Sequence, residues 1–165
     1  WWCLLLVAAG LHSAYYYPQL PARIASHFDV QGNPDGWSTK ESFFTTHAVT
    51  LVGLSLFVLA TSRAIRVMPA WMVNLPHKEY WLAPERRGES LACVSRFLLW
   101  ISNATMLFLI AVADGVFRAN LAAPVRLPAD VWIWLAGLLL FVTGVTVQLY
   151  RRFRLPEPPA GGSAA

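Results

Sequence analysis

Four long apolar runs constrain the fold of this chain more than any other feature. Polar connections separate the runs, which lie at residues 1–17, 43–62, 91–113 and 131–150. A membrane-spanning helix needs roughly 20 apolar residues, so each run is long enough or nearly so. Only 13% of the residues are charged, whereas soluble domains carry about 25%. The sequence therefore predicts an all-α integral membrane protein with four transmembrane helices.

Helix-start signals refine the boundaries. Ser38 and Glu41 have the spacing of a capping box, in which a hydroxyl and a carboxylate bind free amides where a helix begins. Pro84 suits the first turn of the third helix, and Asp130 suits that of the fourth. The expected segments are a membrane domain at residues 1–154, with helices at about 1–17, 39–66, 85–114 and 129–152, an outer loop at 18–38, an inner interfacial segment at 67–84 and a disordered cytoplasmic tail at 155–165.

The first run admits a second interpretation, as a signal peptide. A signal peptide ends in a small-residue cleavage site, whereas Tyr15, Tyr16, Tyr17 and Pro18 follow the apolar stretch here. We therefore favour a retained helix. Because the chain starts at Trp1 and not at Met, we expect that further sequence precedes it in the full protein.

Basic residues predict the orientation of the helices. Positive residues are retained on the cytoplasmic side of a membrane, and they are more frequent after the second run and in the tail than in the other two connections. Both termini should therefore be cytoplasmic, with the outer loop on the opposite side. The net charge of +4 is then a topology signal, and we expect no nucleic-acid partner. The richer group comprises Arg63, Arg66, Lys78, Arg86, Arg87, Arg151, Arg152 and Arg154, and the poorer one Arg23, Lys40, Arg118 and Arg126.

The inner interfacial segment, VMPAWMVNLPHKEYWLAPERR, is apolar and aromatic but is interrupted by three prolines. It is too broken to span again, so we expect it to lie along the membrane surface. A basic, aromatic segment there could bind anionic lipid or a protein partner, although a connector that only anchors the chain is the favoured interpretation. The candidate interface residues are Trp71, Tyr80, Trp81, Arg86 and Arg87.

The outer loop contains LPARIASHFDVQGNPDGWSTK at residues 20–40 and is the polar exception in an apolar chain. Its run GNPDG at residues 32–36 is a dense cluster of turn-forming residues. Ile24, Phe28 and Val30 precede this cluster and are apolar. We expect a small folded cap on the ends of the helices.

This loop resembles the pattern of a bacterial membrane family catalogued as domain of unknown function 1648. Ala25 stands where the family commonly has a proline, and Asp29 where it has an asparagine. A second stretch, LPHKEYWLAPERR at residues 75–87, resembles a connection found in many stand-alone members. The agreeing loop positions are Leu20, Pro21, Ile24, His27, Phe28, Asp29, Gly32, Pro34, Asp35, Trp37 and Lys40.

The resemblance implies a multi-pass protein of the bacterial inner membrane. In SdpI-type immunity proteins this domain precedes further membrane helices, which act against a secreted toxic peptide and in signalling. The present sequence contains no corresponding second half, so we expect the immunity role to carry over only weakly. The candidates for ligand recognition are His27, Phe28, Asp29, Asp35, Trp37 and Lys40.

Three histidines, His12, His27 and His47, fall on the predicted outer side. At ~1.5 Å per residue, His12 and His47 lie at comparable depths in their helices, so the two could meet. With Asp114 they could form a proton-binding or metal site. No two histidines have the i, i+4 spacing that places ligands on one helix face, so we favour structural histidines. The identity of any metal stays open, and no cofactor is expected.

Arg96 is a charge within the third apolar run. We favour an arginine whose side chain extends to the interface. The alternatives are an ion pair with Glu85 or Glu89, or contact with an acidic lipid headgroup.

The chain contains no catalytic motif that we recognise: it has no phosphate loop, GxSxG, HExxH or paired cysteines. We therefore predict a non-enzymatic membrane protein whose cap binds or senses an extracytoplasmic ligand, such as a secreted peptide. An accessory subunit packed on a larger membrane complex is the alternative. A metal-binding or hydrolytic membrane enzyme, acting through His27, Asp29 and Asp35, is less favoured. Membrane lipids are expected partners in every case.

Overall fold

Five α-helices, two short 3₁₀ helices (Tyr17–Gln19 and Ala70–Met72) and one β-hairpin make up the computed structural model, which describes residues 2–156. The tail expected at 155–165 lies outside the described residues except for its first two. The elements are α1 (Trp2–Tyr16), β1 (Arg23–Phe28), β2 (Pro34–Thr39), α2 (Lys40–Val67), α3 (Lys78–Trp81), α4 (Pro84–Leu121) and α5 (Asp130–Arg152).

Three of these helices, α2, α4 and α5, are long and apolar enough to cross a membrane, with mean hydropathies of 1.8, 1.8 and 1.9. The chain is therefore a mostly helical, multi-pass membrane protein. The first helix has 15 residues, fewer than the roughly 17 needed at minimum for a span. A fourth span, and the orientation of all the helices, stay predictions.

The longest helix, α4, has 38 residues and is the centre of the bundle, with α1, α2 and α5 packed against it. At ~1.5 Å per residue it is about 57 Å long, so it extends beyond a hydrocarbon core of about 30 Å. The predicted end at residue 114 is wrong, because the helix continues to Leu121. The apolar run stops at residue 113, but the hairpin covers the next two turns and buries Val116 and Phe117.

The start of α2 is near Thr39 as predicted, but the predicted capping residue is wrong. Thr39 is the N-cap, and its Oγ1 accepts a hydrogen bond from the Ser42 N–H at 3.2 Å. Ser38 cannot fill this role because it is paired with Ile24 in the hairpin. The expected first-turn residues of α4 and α5, Pro84 and Asp130, are confirmed.

The cap that the sequence predicts on the outer side is an antiparallel β-hairpin, which an all-α prediction did not include. Ile24 pairs with Ser38, and Ala25 pairs with Trp37. The register then shifts between Ala25 and His27, as in a β-bulge. Beneath the hairpin, Leu20, Ile24, Ala113 and Phe117 form a buried cluster that Tyr16, Phe43 and Phe44 surround.

The two ends of the bundle are different. We call the end that carries the hairpin the hairpin end. The opposite end carries the arginines in the last turns of α2 and α5, and we call it the basic end. At the basic end the interfacial segment folds into a short 3₁₀ helix and α3, and it contributes Val73, Leu75 and Leu82 to a second buried cluster. The Trp81 Nε1–H donates to the Phe153 carbonyl at 2.9 Å, so this segment is packed onto the helix ends and does more than connect them.

Candidate functional site

The edge of β1 that faces away from β2 is capped by a single side chain, that of Asn120 near the end of α4. Its Oδ1 accepts from the Ala25 N–H at 2.7 Å, and its Nδ2 donates to the Ala25 carbonyl at 2.9 Å. The same Nδ2 donates to the Val116 carbonyl at 2.9 Å, which fixes the amide on its own helix. Ala25 is fully buried, so both of its main-chain groups depend on this amide.

The edge of β2 that faces away from β1 is open. The Lys40 N–H donates to the Ala22 carbonyl at 2.9 Å, which makes Ile24 and Ser38 the next hydrogen-bonded pair. In an antiparallel ladder the main-chain groups alternate in direction, so the N–H and carbonyl of Trp37 point away from β1. Within residues 2–156, no hydrogen bond joins these two groups to another segment.

The side chains near this open edge are exposed. The Trp37 residue is 47% exposed, and the His27 and Asp35 side chains are 75% and 47% exposed. A hydrogen bond joins His27 Nδ1 to Asp35 Oδ1. We call these three side chains, His27, Asp35 and Trp37, the outer patch. A Cβ at Gly36 would lie 2.8 Å from the His27 Cβ, so only glycine lets β2 approach β1 here.

Two of the predicted recognition residues are used within the fold. The Lys40 ammonium donates to the Tyr17 and Leu20 carbonyls, both at 3.1 Å, and lies 4.5 Å from the centre of the Tyr17 ring. Lys40 thus ties the end of α1 to the start of α2. Phe28, another candidate, is half-buried.

Asp29 is the second predicted recognition residue that is used within the fold. It organises the turn of the hairpin. Its carboxylate accepts from the Gln31 N–H at 3.0 Å, the Asn33 N–H at 2.8 Å and the Asn33 Nδ2 at 3.1 Å. The hydrogen bond from the Asn33 main-chain N–H is the main cause of the lowered pKa of Asp29. An asparagine could accept the same main-chain bonds, which fits the residue that the family resemblance leads one to expect here.

These contacts predict an acid transition in the hairpin turn. A lowered folded-state pKa means that the carboxylate contributes stability above the unfolded pKa, about 3.9, and that the contribution is lost as pH falls through the folded pKa. We expect the Gln31 and Asn33 amides, which donate to this carboxylate, to lose hydrogen-exchange protection below about pH 4. In Asp29→Asn the turn should persist without this transition, and in Asp29→Ala it should be unprotected at neutral pH. An acid transition of equal size in Asp29→Asn would contradict the assignment to this carboxylate.

The connection between α4 and α5 holds the tip of the hairpin. The Leu127 N–H donates to the Gly32 carbonyl at 2.9 Å, and the Arg126 guanidinium donates to the Gln31 carbonyl from Nε at 3.3 Å and from Nη2 at 3.1 Å. Gly32 has φ +84, and a Cβ there would lie 2.9 Å from the Leu127 carbonyl oxygen. The hairpin is therefore fixed at its tip as well as at Asn120.

A chain of ionisable side chains, which we call the ionic chain, links α1, α4 and α5 beneath the hairpin. His12 Nε2 lies 3.0 Å from Asp114 Oδ1. The Arg118 guanidinium donates to Asp114 at 2.7 Å and to Asp130 at 2.7 Å. The rings of Tyr16 and Phe117 pack beside the imidazole, with centroids 5.0 and 5.5 Å from it and 5.1 Å from each other. The structure thus brings His12 and Asp114 together, and Arg118 and Asp130 complete the chain.

The third predicted member of this site, His47, is held differently. Its ring stacks on Phe43 with 6.3 Å between centroids, and in the described part of the chain it has no hydrogen bond to His12 or Asp114. No group of three or more His, Cys, Asp or Glu side chains within residues 2–156 is arranged to hold a metal ion. His27 lies apart from the other two histidines, in the hairpin.

Sequence reasoning missed Arg118, Asp130 and Asn120 as members of the site. The spacing of Asp114 and Arg118 is i, i+4, a pattern that pairs opposite charges on one helix face and that was available in the sequence. Nothing comparable indicated Asn120, whose partner lies 95 residues earlier in the chain.

The predicted interface residues at the basic end are mostly engaged within the chain. The Arg86 guanidinium lies over the Tyr80 ring at 4.0 Å, and the Arg87 guanidinium donates to the Met68 carbonyl. Trp81 is held by Phe153, as described above. Trp71 remains 77% exposed and is the member of this set that is free to enter a lipid headgroup layer.

These features define a class: a multi-pass helical membrane protein with a β-hairpin cap clamped over an ionic chain. Residues 4–51 match the family described as Domain of unknown function (DUF1648), which confirms the resemblance carried by the loop. The match covers α1, the hairpin and the first part of α2. No curated protein and no solved structure matches the chain. The relation to SdpI-type proteins and the bacterial inner-membrane location stay predictions.

Proposed function

We propose that the hairpin cap recognises an extended peptide on the outer side of the bacterial inner membrane, without catalysing a reaction. The open main-chain edge at Trp37 carries this proposal. An unpaired strand edge is a template for another extended chain, and adding a strand to such an edge is a recurring mode of peptide recognition. The resemblance to immunity proteins that act against a secreted peptide supports the same class of ligand.

The clamps on the hairpin support a preformed binding edge. Asn120 and the α4–α5 connection hold the two strands on the bundle, so little conformational freedom would be lost when a peptide binds. The outer patch would supply specificity beside the main-chain hydrogen bonds. Trp37 is an aromatic anchor of the kind enriched at binding hot spots, and the His27 and Asp35 pair offers a donor and acceptors for a polar peptide side chain.

Two substitutions of Trp37 separate the contribution of its main-chain N–H to peptide binding from the contribution of its ring. In Trp37→Pro the outward N–H is removed, while the ladder to β1 is kept because that N–H takes no part in it. In Trp37→Ala the N–H remains and only the ring is lost. We expect peptides selected from a synthetic library of seven-residue extended sequences to bind the wild type. Trp37→Pro should weaken them about tenfold or more, and Trp37→Ala less, since a hydrogen bond left unmade costs about 1–3 kcal/mol.

Binding would be measured by fluorescence polarisation of labelled peptides with protein purified in a mild detergent. Hydrogen exchange of the Lys40 amide, which reports the ladder, controls for folding of each variant. Selection of no peptide, or equal binding by the wild type and Trp37→Pro, would count against strand addition.

The accessory-subunit alternative rests on a different surface, the outward face of α5. This helix carries large exposed apolar side chains such as Leu140 and Val147, which either lipid or the helices of another subunit could cover. Purification in the same detergent tests this directly. Stoichiometric co-purifying subunits would favour the alternative, whereas the chain alone with bound lipid would favour the recognition cap.

A further inference from the structure

A large apolar groove runs along the side of α4 that lies between α1 and α5. Its volume is about 1040 Å³. Leu5 on α1, Leu107 on α4 and Phe141 on α5 are among the side chains that form its walls. The outer patch and the ionic chain beneath the hairpin take no part in it, so it is separate from the site described above.

One end of the groove is polar and belongs to the basic end. Arg96 lines the groove there, together with Trp2 and Trp100. Arginine and tryptophan at one depth are typical of the level of the lipid headgroups. Apart from Asn103, the other α4 residues that line the groove are apolar: Leu99, Trp100, Ala104, Leu107 and Phe108.

The charge on Arg96 has no counter-ion within residues 2–156. Of the two carboxylates that the sequence suggested as partners, Glu89 accepts from Arg152 at 3.0 Å, and Glu85 forms no ion pair with Arg96. Arg96 is exposed and lies at the mouth of the groove. The acidic lipid headgroup therefore remains as the partner expected from the sequence.

We propose that this groove binds one anionic phospholipid, with the phosphate on Arg96 and an acyl chain along the apolar wall. A guanidinium matches phosphate oxygens in a two-pronged geometry, and basic sites between membrane helices are known binding places for anionic headgroups. From Arg96 to Phe108, the α4 wall is about 18 Å long at ~1.5 Å per residue. One leaflet of hydrocarbon, half of a core of about 30 Å, has a similar depth.

The charge on Arg96 also argues against two other occupants of the groove, a second copy of this chain and a helix of another protein. A second copy of this chain related by a twofold axis through the groove would bring two Arg96 side chains toward each other. An apolar helix of another protein would cover Arg96 without a counter-charge, which is unfavourable within a membrane. A phospholipid satisfies both the apolar wall and the cation.

Removal of the charge tests the headgroup contact. Native mass spectrometry of the full chain in a mild detergent would count the lipids bound after addition of phosphatidylglycerol or phosphatidylcholine. We expect phosphatidylglycerol to be preferred about fivefold, the factor typical of one basic residue near a membrane surface. In Arg96→Gln the preference should disappear. Arg63→Gln is a matched control at the same depth, because the Ser95 hydroxyl donates to the Ser62 carbonyl at 3.2 Å, and it should keep the preference.

Filling the groove tests the acyl contact. A Cβ at Gly137 meets nothing within 4 Å, so Gly137→Leu places its side chain in the groove without a backbone clash and should abolish lipid retention. Gly53→Leu is the control, since its Cβ is equally unobstructed and it lies on α2 outside the groove. Equal retention of both lipids by the wild type, full retention in Gly137→Leu, displacement by inorganic phosphate, or a dimer that Gly137→Leu dissociates would each overturn the proposal.

Discussion

Phe117→Ala should cause a large loss of stability. Phe117 is fully buried, and its ring contacts His12, Tyr16, Phe43 and Phe44, with centroid distances of 5.5, 5.1, 5.9 and 5.0 Å. Truncation of a buried Phe costs about 3–5 kcal/mol, because apolar contacts are lost and a cavity remains. The ring supports the end of α1, the start of α2 and the floor of the hairpin together.

The measurement is a thermal melt in a mild detergent, followed by tryptophan fluorescence. We expect the melting temperature to fall by on the order of 10 °C, given about 2–4 °C for each kcal/mol in a chain of this size. Phe57→Ala is the matched control, because Phe57 lies on α2 and is 67% exposed, and exposed substitutions change stability by only about 0.5 kcal/mol. Similar melting temperatures for the two variants would show that Phe117 does not support the hairpin end.

The sequence was most informative about the helices that are apolar along most of their length. The second and fourth predicted helices, at 39–66 and 129–152, agree within one residue with α2, Lys40–Val67, and α5, Asp130–Arg152. Hydropathy located these two helices, as the apolar runs 43–62 and 131–150, and the helix-start signals near Ser38 and at Asp130 placed their first residues. The end of α4 was missed because its last two turns lie beyond the apolar run and pack against other parts of the protein. Hydropathy does not report which residues are buried by protein contacts.

The hairpin was harder to predict than its turn. Gly32 and Asn33 of the cluster GNPDG lie in the turn, but Pro34, Asp35 and Gly36 belong to β2. The strands are six residues each, and the register shift beside Ser26 interrupts the alternation by which strands are recognised. Gly32, at φ +84, shows why the turn needs a glycine. The free edge at Trp37 follows only from the register, which the sequence does not specify.

Depth along the helices was only partly informative about the site. It favoured a meeting of His12 with His47, whereas the structure pairs His12 with Asp114, 102 residues away, and stacks His47 on Phe43. Assignment to roles was less successful, since Asp29 and Lys40 were grouped with the recognition residues and instead hold the turn and the start of α2. The difference is physical: a charged residue in a loop satisfies the main chain when unpaired amides or carbonyls are within reach.

Asn120→Ala should release the hairpin from the bundle. The substitution leaves the buried N–H and carbonyl of Ala25 without partners, and each unsatisfied group costs about 1–3 kcal/mol. We therefore expect opening of the hairpin to become easier by about 2 kcal/mol or more. Hydrogen exchange of the Lys40 amide, which is bonded to the Ala22 carbonyl at 2.9 Å, should accelerate about 30-fold or more, since 1.4 kcal/mol corresponds to a factor of ten.

Asn103→Ala is the matched control for this substitution. The Asn103 Nδ2 donates only to the Leu99 carbonyl of its own helix, at 2.8 Å, so its loss should leave exchange in the hairpin unchanged. The two variants remove the same amide from the same helix, and only Asn120 reaches another element. If Asn120→Ala exchanged like the wild type at Lys40, the Arg126 and Leu127 contacts at the tip would be sufficient to hold the hairpin. If it exchanged faster and also lost the selected peptides, the open edge of β2 would depend on the closed edge of β1, as a preformed binding site requires.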